Sequence, residues 1–247
     1  MSVLFADAGD RLAINDAPVP GTGDFFMCGW FYLTSLPGGG NFYDLWGLYA
    51  DETGSESYFS IAIDGSTNYL NFFGDGAAPE TVAYALSAET WYYVYFWRAA
   101  DGNFGIDLFD DSTSTTPLGS CSGDDGADNL GSYDWLNLGR AYTGEDFAGQ
   151  MVAWRLVNGV TLATDTQIRA ESQAYNYVLG SGTLYGNWRL KDADADDDGT
   201  DDSSGNSNDF TNTGVANGST TPTQLAAAAS AAGDGAYYQH YYLSVVT

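Results

Sequence analysis

The sequence predicts an all-β protein of two stacked sheets, and three observations support this prediction. Short aromatic and β-branched runs are separated by clusters of Gly, Asn, Asp and Ser at intervals of about ten residues. The pairs Asp64-Gly65, Asp101-Gly102 and Asn158-Gly159 lie between apolar runs, where residues of positive φ close hairpins. The chain also holds 7 Trp, 18 Tyr and 13 Phe, which is far more aromatic surface than a disordered acidic segment carries.

The pattern predicts strands in chain order and two short helical segments. A Thr or Asp cap precedes helix formers at 164–173, and an alanine-rich stretch at 224–232 forms either a second helix or a tight crossing segment. The predicted strands are 3–5, 11–14, 25–33, 42–49, 58–63, 69–73, 82–85, 91–98, 104–109, 135–138, 149–157, 185–190 and 236–246.

We interpret residues 1–247 as one domain, because no repeat and no composition shift divides the strands. The polar stretch 191–223 is a linker, a long loop or an ion-binding insertion. The last predicted strand, 236–246, is expected to return and pair near the first, which hides the terminal edges of the sheets.

The charge excludes two classes of partner. The chain has 27 Asp and 6 Glu against 6 Arg and 1 Lys, a net charge of −26. Such a field repels nucleic-acid phosphates and anionic lipid surfaces, so we predict no nucleic-acid partner and no membrane partner. No apolar run approaches the roughly 20 residues of a membrane helix, and no signal peptide follows Met1. Cations and neutral sugars remain open as ligands.

Cys28 and Cys121 are the only cysteines. Paired, they would close a long loop and stabilise the fold by about 4–5 kcal/mol in the chain-entropy model. Two cysteines form no disulfide framework, and we favour free thiols.

Several blocks resemble one fold family. Residues 25–32 (FFMCGWFY), 91–96 (WYYVYF), 136–140 (LNLGR) and 147–156 (FAGQMVAWRL) are similar, in order and spacing, to the strands of laminin-G-like domains of the concanavalin-A-like lectin and glucanase superfamily. The resemblance covers about residues 1–175 and implies a jelly-roll sandwich of two antiparallel sheets. Members of this superfamily often bind sugars on the concave face or rim loops, and some hold structural calcium. The fold alone implies no single function.

No catalytic constellation is present, and we predict that the chain is not an enzyme. Retaining glycosidases of this fold need two carboxyls on one strand, but residues 105–110 (GIDLFD) place Gly105 at the nucleophile position. Asp107 and Asp110 therefore fit a strand end and a hairpin loop. His240 is the single histidine, and no Gly-x-Ser-x-Gly motif supplies a nucleophile for it. Lys191 is the single lysine, which argues against a lysine as general base.

The stretch 194–202 (DADDDGTDD) predicts a calcium site. It has Asp at the first, third, fifth and ninth positions and Gly at the sixth, as in the front of an EF-hand-type loop. The expected ligands are Asp194, Asp196, Asp198, Asp202 and the carbonyl of Thr200. At the twelfth position, Gly205 stands where an EF-hand has a bidentate Glu. The alternative to a calcium site is a solvated acidic loop that binds no metal. Residues 124–129 form a second, weaker acidic cluster.

Sugar binding requires exposed aromatic rings and polar side chains. We predict Tyr43, Trp46 and Tyr142 as ligand-binding residues, and the alternative is that the Tyr-, Asn- and Asp-rich loops form a protein–protein surface.

We therefore predict a non-catalytic recognition protein at the surface of a virus particle, as a capsid decoration or tail-associated component. A lectin-like domain that starts close to Met1 without an export signal or disulfide framework favours a phage protein released by lysis. Other virion proteins and glycans are the expected partners, with self-association open. The alternatives are a secreted carbohydrate-active enzyme and an extracellular adhesion module of the same fold.

Overall fold

Two antiparallel sheets stack face to face in the computed structural model. It describes residues 1–15, 23–50, 58–74, 80–126, 130–140, 145–160, 164–178, 180, 182–192 and 199–225. The strands are β1 Ser2–Phe5, β2 Arg11–Asn15, β3 Phe25–Leu33, β4 Phe42–Tyr49, β5 Tyr58–Asp64, β6 Tyr69–Gly74, β7 Glu80–Val82, β8 Trp91–Arg98, β9 Asn103–Asp110, β10 Gly119–Asp124, β11 Trp135–Leu138, β12 Gly149–Asn158, β13 Thr183–Trp188, β14 Thr211–Thr213 and β15 Ala216–Gly218. Helix α1 spans Asp165–Ser172, and a 3-10 turn covers Leu130–Ser132.

The first sheet has the strand order β10-β9-β8-β3-β12-β1-β15, and β13 also pairs with β12. The long strand β12 pairs with two strands along one edge: its first half pairs with β1 and its second half with β13. The two halves are separated by a bulge around Ala153, which has a left-handed φ of 56°.

The second sheet has the order β14-β2-β11-β4-β5-β6-β7. Strands β14 and β15, each three residues long, close one edge of each sheet. Short edge strands of this kind leave few unpaired backbone groups for another chain to join.

The core between the sheets is built from alternate residues of the strands. Trp46 is 1% exposed, and its ring lies 5.3 Å from that of Phe96 and 6.2 Å from that of Phe59. Phe72 and Phe104 extend this aromatic stack across both sheets, with ring centroids 4.0 Å apart. Burial of so many large rings drives the association of the two sheets.

A second apolar cluster lies on the outer face of the first sheet, under α1. Thr164 caps the helix, as one of the two alternatives predicted from the sequence, and it forms a capping box with Gln167. The helix is held to the sheet by Arg155 and Glu171, whose side chains are both fully buried and 2.9 Å apart. Half of the first sheet is therefore covered on both faces.

The structure confirms the all-β, two-sheet jelly-roll sandwich. Four predicted strands, 25–33, 42–49, 91–98 and 135–138, match the observed bounds. The predicted strand 236–246 and most of the predicted helix 224–232 lie outside the described residues.

One expectation about a polar segment needs correction. The stretch 191–223 is not simply a linker or loop, because β14 and β15 belong to it and join both sheets. Strand β15 pairs with β1, and the predicted return of strand 236–246 stays a prediction. The polar strand β10 (GSCSGD) was not predicted at all.

Cys28 and Cys121 are free thiols, which confirms the interpretation favoured from the sequence. Among the described residues, no helix has the length and apolar character needed to cross a bilayer.

Candidate functional site

The predicted calcium ligands that the structure describes are already engaged by the protein. Both oxygens of Asp202 accept hydrogen bonds: Oδ1 from the backbone of Asn187 and Ser204, and Oδ2 from the Ser204 hydroxyl and the backbone of Asn208. The carbonyl of Thr200 accepts a bond of 3.1 Å from the backbone of Phe210. Asp202 therefore has a structural role in holding this segment, and its role as a metal ligand stays a prediction.

The other predicted calcium ligands, Asp194, Asp196 and Asp198, lie outside the described residues. No group of three or more metal-ligating side chains occurs in the described part of the chain. In the second acidic cluster, Asp125 is 5% exposed and binds Arg98. The calcium site at 194–202 therefore stays a prediction.

The predicted sugar-binding residues are not brought together. Trp46 belongs to the core and cannot stack on a ligand, which corrects that prediction. Tyr43 is partly buried, with its hydroxyl 3.2 Å from Ser35 Oγ and its ring edge-on to Phe147. Tyr142 lies outside the described residues.

A different aromatic surface is open on the outer face of the first sheet. Alternate residues of β8 face outward, and three of them are covered: Trp91 is 7% exposed, and Tyr93 and Tyr95 are 0% exposed. The next outward residue, Trp97, is partly exposed. In the described part of the chain, the cover over this sheet is therefore less complete at the end of β8, where the indole of Trp97 packs against the buried cluster and stays partly exposed.

The indole of Trp97 extends over the neighbouring strand because that strand has no side chain at the contact. Trp97 pairs with Gly105 of β9, and Gly105 pairs with Ser122 of β10. A Cβ atom at residue 105 would lie 2.5 Å from Nε1 of the indole and 2.6 Å from Cε2. Glycine is thus the residue that lets the ring rest against the backbone of β9.

Polar side chains occupy the next row of the same face. Asp107 of β9 pairs with Tyr95 on one side and Ser120 on the other. The hydroxyl of Ser120 donates to Oδ1 of Asp107 at 2.6 Å. Ser120 and Ser122 are both exposed. We call Trp97, Gly105, Asp107, Ser120 and Ser122 the Trp97 platform.

Burial shifts the acidity of the platform carboxyl. Desolvation raises the pKa of Asp107, the bond from Ser120 opposes this, and the charge of Asp165 at the start of α1 adds to the rise. A carboxylate that is partly desolvated and has one strong donor is a good acceptor for further hydroxyl or ammonium donors.

The two carboxyls of β9 that the sequence singled out have different partners. Asp107 bonds Ser120, whereas Asp110 at the end of β9 bonds Ser112 and faces Arg169 at 3.5 Å. The two carboxyls have separate structural partners and do not form the acid–nucleophile pair of a glycosidase. The accessible ring and its polar rim instead match the chemistry of sugar recognition, which needs an apolar plate for C–H faces and acceptors for hydroxyls.

The outer face of the second sheet carries polar side chains, but these side chains are buried. Asp44, Ser60, Asn71 and Asn137 on this sheet are 0–8% exposed. The aromatic pair Phe42 and Phe73 is partly exposed there, but the rings meet at 87° and form no common plate. The Trp97 platform is therefore the more suitable surface for a flat ligand.

Sequence reasoning missed this platform for one reason. Ser120 and Ser122 lie on β10, whose composition is that of a turn, so nothing placed them beside Trp97. The available signal was the pairing of a terminal strand tryptophan with Gly105 in the next predicted strand.

Comparison with solved structures supports the fold. A protein from Bacteroides ovatus named for carbohydrate binding superposes with a TM-score of 0.62 and 14% identity, over 87% of this chain and 59% of that one. The heptameric SAP-like pentraxin of Limulus polyphemus gives 0.57 and 12%, over 87% and 92%. The CBM40 module of a Ruminococcus gnavus IT-sialidase gives 0.51 and 10%, over 69% and 96%. No protein-family model and no curated protein sequence matches the chain.

Proposed function

Because the fold is a lectin-type sandwich of the concanavalin-A-like kind, we propose that this protein is a non-catalytic glycan-binding protein and that its binding site is the Trp97 platform. The observation that carries the proposal is the partly exposed indole of Trp97 over Gly105, beside the Asp107–Ser120 pair. A sugar ring would stack on the indole, and its hydroxyls would bond to Asp107, Ser120 and Ser122.

The comparisons support this proposal at the level of the fold. Two of the solved structures are a protein named for carbohydrate binding and a carbohydrate-binding module, each under 15% identical to this chain. The chain spans 59% of the Bacteroides ovatus protein, so that protein's remaining parts have no counterpart in the match.

The direct test is a screen of immobilised glycans with the purified protein and two variants. Trp97→Ala removes the aromatic ring on which the sugar would stack. Trp135→Ala removes another partly exposed tryptophan, at the start of β11 in the second sheet. The proposal expects glycan signals that Trp97→Ala abolishes and Trp135→Ala preserves. A positive screen that is indifferent to Trp97 would reject the platform as the site.

The competing function is that of a carbohydrate-active enzyme of the same fold. The separate partners of Asp107 and Asp110 argue against it. Incubation with laminarin, agar, alginate and carrageenan, followed by a reducing-end assay and an absorbance assay for unsaturated products, tests both hydrolysis and elimination. Turnover by the purified chain would overturn the non-catalytic assignment.

We also propose that the protein acts on the surface of a virus particle, beside other virion proteins, with an extracellular adhesion role as the alternative. The free thiols of Cys28 and Cys121 support synthesis in a reducing compartment, where disulfides are rare. Gold-labelled antibodies on gradient-purified particles test this location. Labelled particles are expected, and signal confined to the particle-free culture fluid would contradict the proposal.

A further inference from the structure

The exposed charges described around the Trp97 platform are acidic, since the cation nearest on this face, Arg169, is 4% exposed and lies over the ring of Phe109. Asp107 lies in the platform, and Asp124 and Asp165 are exposed near it, on β10 and at the start of α1. None of the ion pairs in the described chain includes Asp107, and its hydrogen-bond partner is the neutral Ser120.

All seven basic residues of the chain are among the described residues; Arg11 lies on β2 of the second sheet, and Arg189 donates a hydrogen bond to Asn176. The nearest in sequence, Arg98, is 0% exposed and binds Asp125. Four others have these contacts: Arg155 with Glu171, Arg169 with Asp110, Arg140 with Asp146, and Lys191 over the ring of Tyr175. No side chain at the platform can therefore neutralise an anionic sugar.

A partly desolvated carboxylate next to an accessible indole is a combination that suits a cation. The ring face attracts an ammonium group through its quadrupole, and the carboxylate accepts a charge-assisted hydrogen bond from it. The net charge of −26 adds a long-range field that concentrates polycations near the surface.

We propose that the Trp97 platform selects glycans that carry free, protonated amino groups, over N-acetylated, neutral and acidic glycans. This inference rests on the proposed function, because it assigns a ligand class to the same platform. The pyranose ring stacks on Trp97, and the ammonium group binds the carboxylate of Asp107.

The test compares glucosamine oligomers with N-acetylglucosamine oligomers of the same length by isothermal titration calorimetry. A sialylated oligosaccharide serves as the acidic probe. Three variants are used: Trp97→Ala, Asp107→Asn, which keeps the acceptor for Ser120, and Asp134→Asn. The last removes one exposed charge before β11, on the other sheet, and so controls for the overall field.

We expect the free-amine oligomer to bind at least tenfold more tightly than its acetylated counterpart and the sialylated probe to be rejected. Asp107→Asn should weaken binding of the free-amine oligomer about tenfold, the scale of one charge-assisted hydrogen bond, and weaken the acetylated oligomer less, because the amide oxygen still accepts from a sugar hydroxyl. Asp134→Asn should change neither.

Two results would overturn the inference while the proposed function stands: equal binding of both oligomers through Trp97, or equal losses from Asp107→Asn and Asp134→Asn. The second result would mean that the field alone attracts the cation. If no glycan binds through Trp97, the proposed function itself fails, and the inference fails with it. Melting curves of each variant show whether a loss reflects unfolding.

Discussion

The indole of Trp97 occupies the space that a side chain at residue 105 would need, since a Cβ there would lie 2.5 Å from Nε1 of the ring. The two residues are cross-strand partners on β8 and β9. The absence of a side chain at Gly105 lets the indole lie against the backbone of β9. The ring stays partly exposed to solvent there.

Substitution of Gly105 tests this relationship. Gly105→Val should displace the indole, destabilise the fold by about 1–3 kcal/mol through overpacking, and abolish glycan binding. Gly39→Ala is a matched control, because no atom lies within 4 Å of its added Cβ. Tryptophan fluorescence and chemical denaturation measure the two effects, and a Gly105→Val protein with unchanged emission and stability would contradict the geometry.

The carboxyl of Asp107 should make stability depend on pH. Its pKa is raised in the folded protein, so the charged form is disfavoured there, and its contribution favours folding below the unfolded pKa of about 3.9 and is lost as pH rises through the folded pKa. Asp107→Asn should therefore be slightly more stable than the native protein at pH 7, by less than about 1 kcal/mol after solvent screening.

That gain should shrink in acid, where both proteins are neutral at residue 107. Denaturation curves at pH 3 and pH 7 provide the comparison. A variant less stable than the native protein at pH 7 would show that the carboxylate is stabilising, contrary to the burial around it.

The buried pair of Arg155 and Glu171 should be essential to the fold. Glu171→Ala leaves the guanidinium buried without its charge partner and should cost about 3–5 kcal/mol. Asp146→Asn at the more exposed pair with Arg140 should cost less than about 1 kcal/mol. Similar losses for the two variants in urea denaturation would contradict the burial that separates these pairs.

The two thiols should be unreactive in the native state. Burial raises the pKa of Cys28 to about 12 and that of Cys121 to about 12 as well, so neither forms the nucleophilic thiolate at neutral pH. Mass spectrometry after iodoacetamide treatment should show little labelling until the protein is unfolded and two modified cysteines afterwards. A native chain that gains two labels only after reduction would reveal a disulfide.

Asp202 should stabilise the chain without any metal. Asp202→Ala removes the acceptor for four hydrogen bonds and should lower stability by about 2–4 kcal/mol, equally in EDTA and in calcium chloride. A loss of stability that appears only in calcium chloride would instead support Asp202 as a calcium ligand. Calcium binding by Asp194, Asp196 and Asp198 stays a prediction, which Asp196→Ala and Asp198→Ala test by the same melting curves.

Large apolar residues made much of this fold predictable. Strands such as β3 and β8 consist largely of aromatic and other apolar residues, and the Thr164 cap marks the start of α1. Strand β10 was missed because its inward positions are Gly119, Cys121 and Gly123, which carry little apolar signal. A Cβ at Gly119 would meet Val82, and one at Gly123 would meet Glu80 and the Phe104 ring.

The site was harder to predict than the fold because accessibility depends on partners distant in sequence. Trp46 and Trp97 both lie on predicted strands, yet one packs against Phe96 in the core and the other stays partly exposed on the outer face of the first sheet. Composition cannot distinguish two such tryptophans, whereas strand register can.

The central claim is that Trp97 is the binding plate, and titration of the best glycan from the screen into three proteins tests it most directly. We predict that Trp97→Ala binds about thirtyfold more weakly than the native protein, a loss of about 2 kcal/mol typical of an aromatic hot spot, and that Trp135→Ala binds as the native protein does. Native affinity in Trp97→Ala, or a comparable loss in Trp135→Ala, would contradict this account.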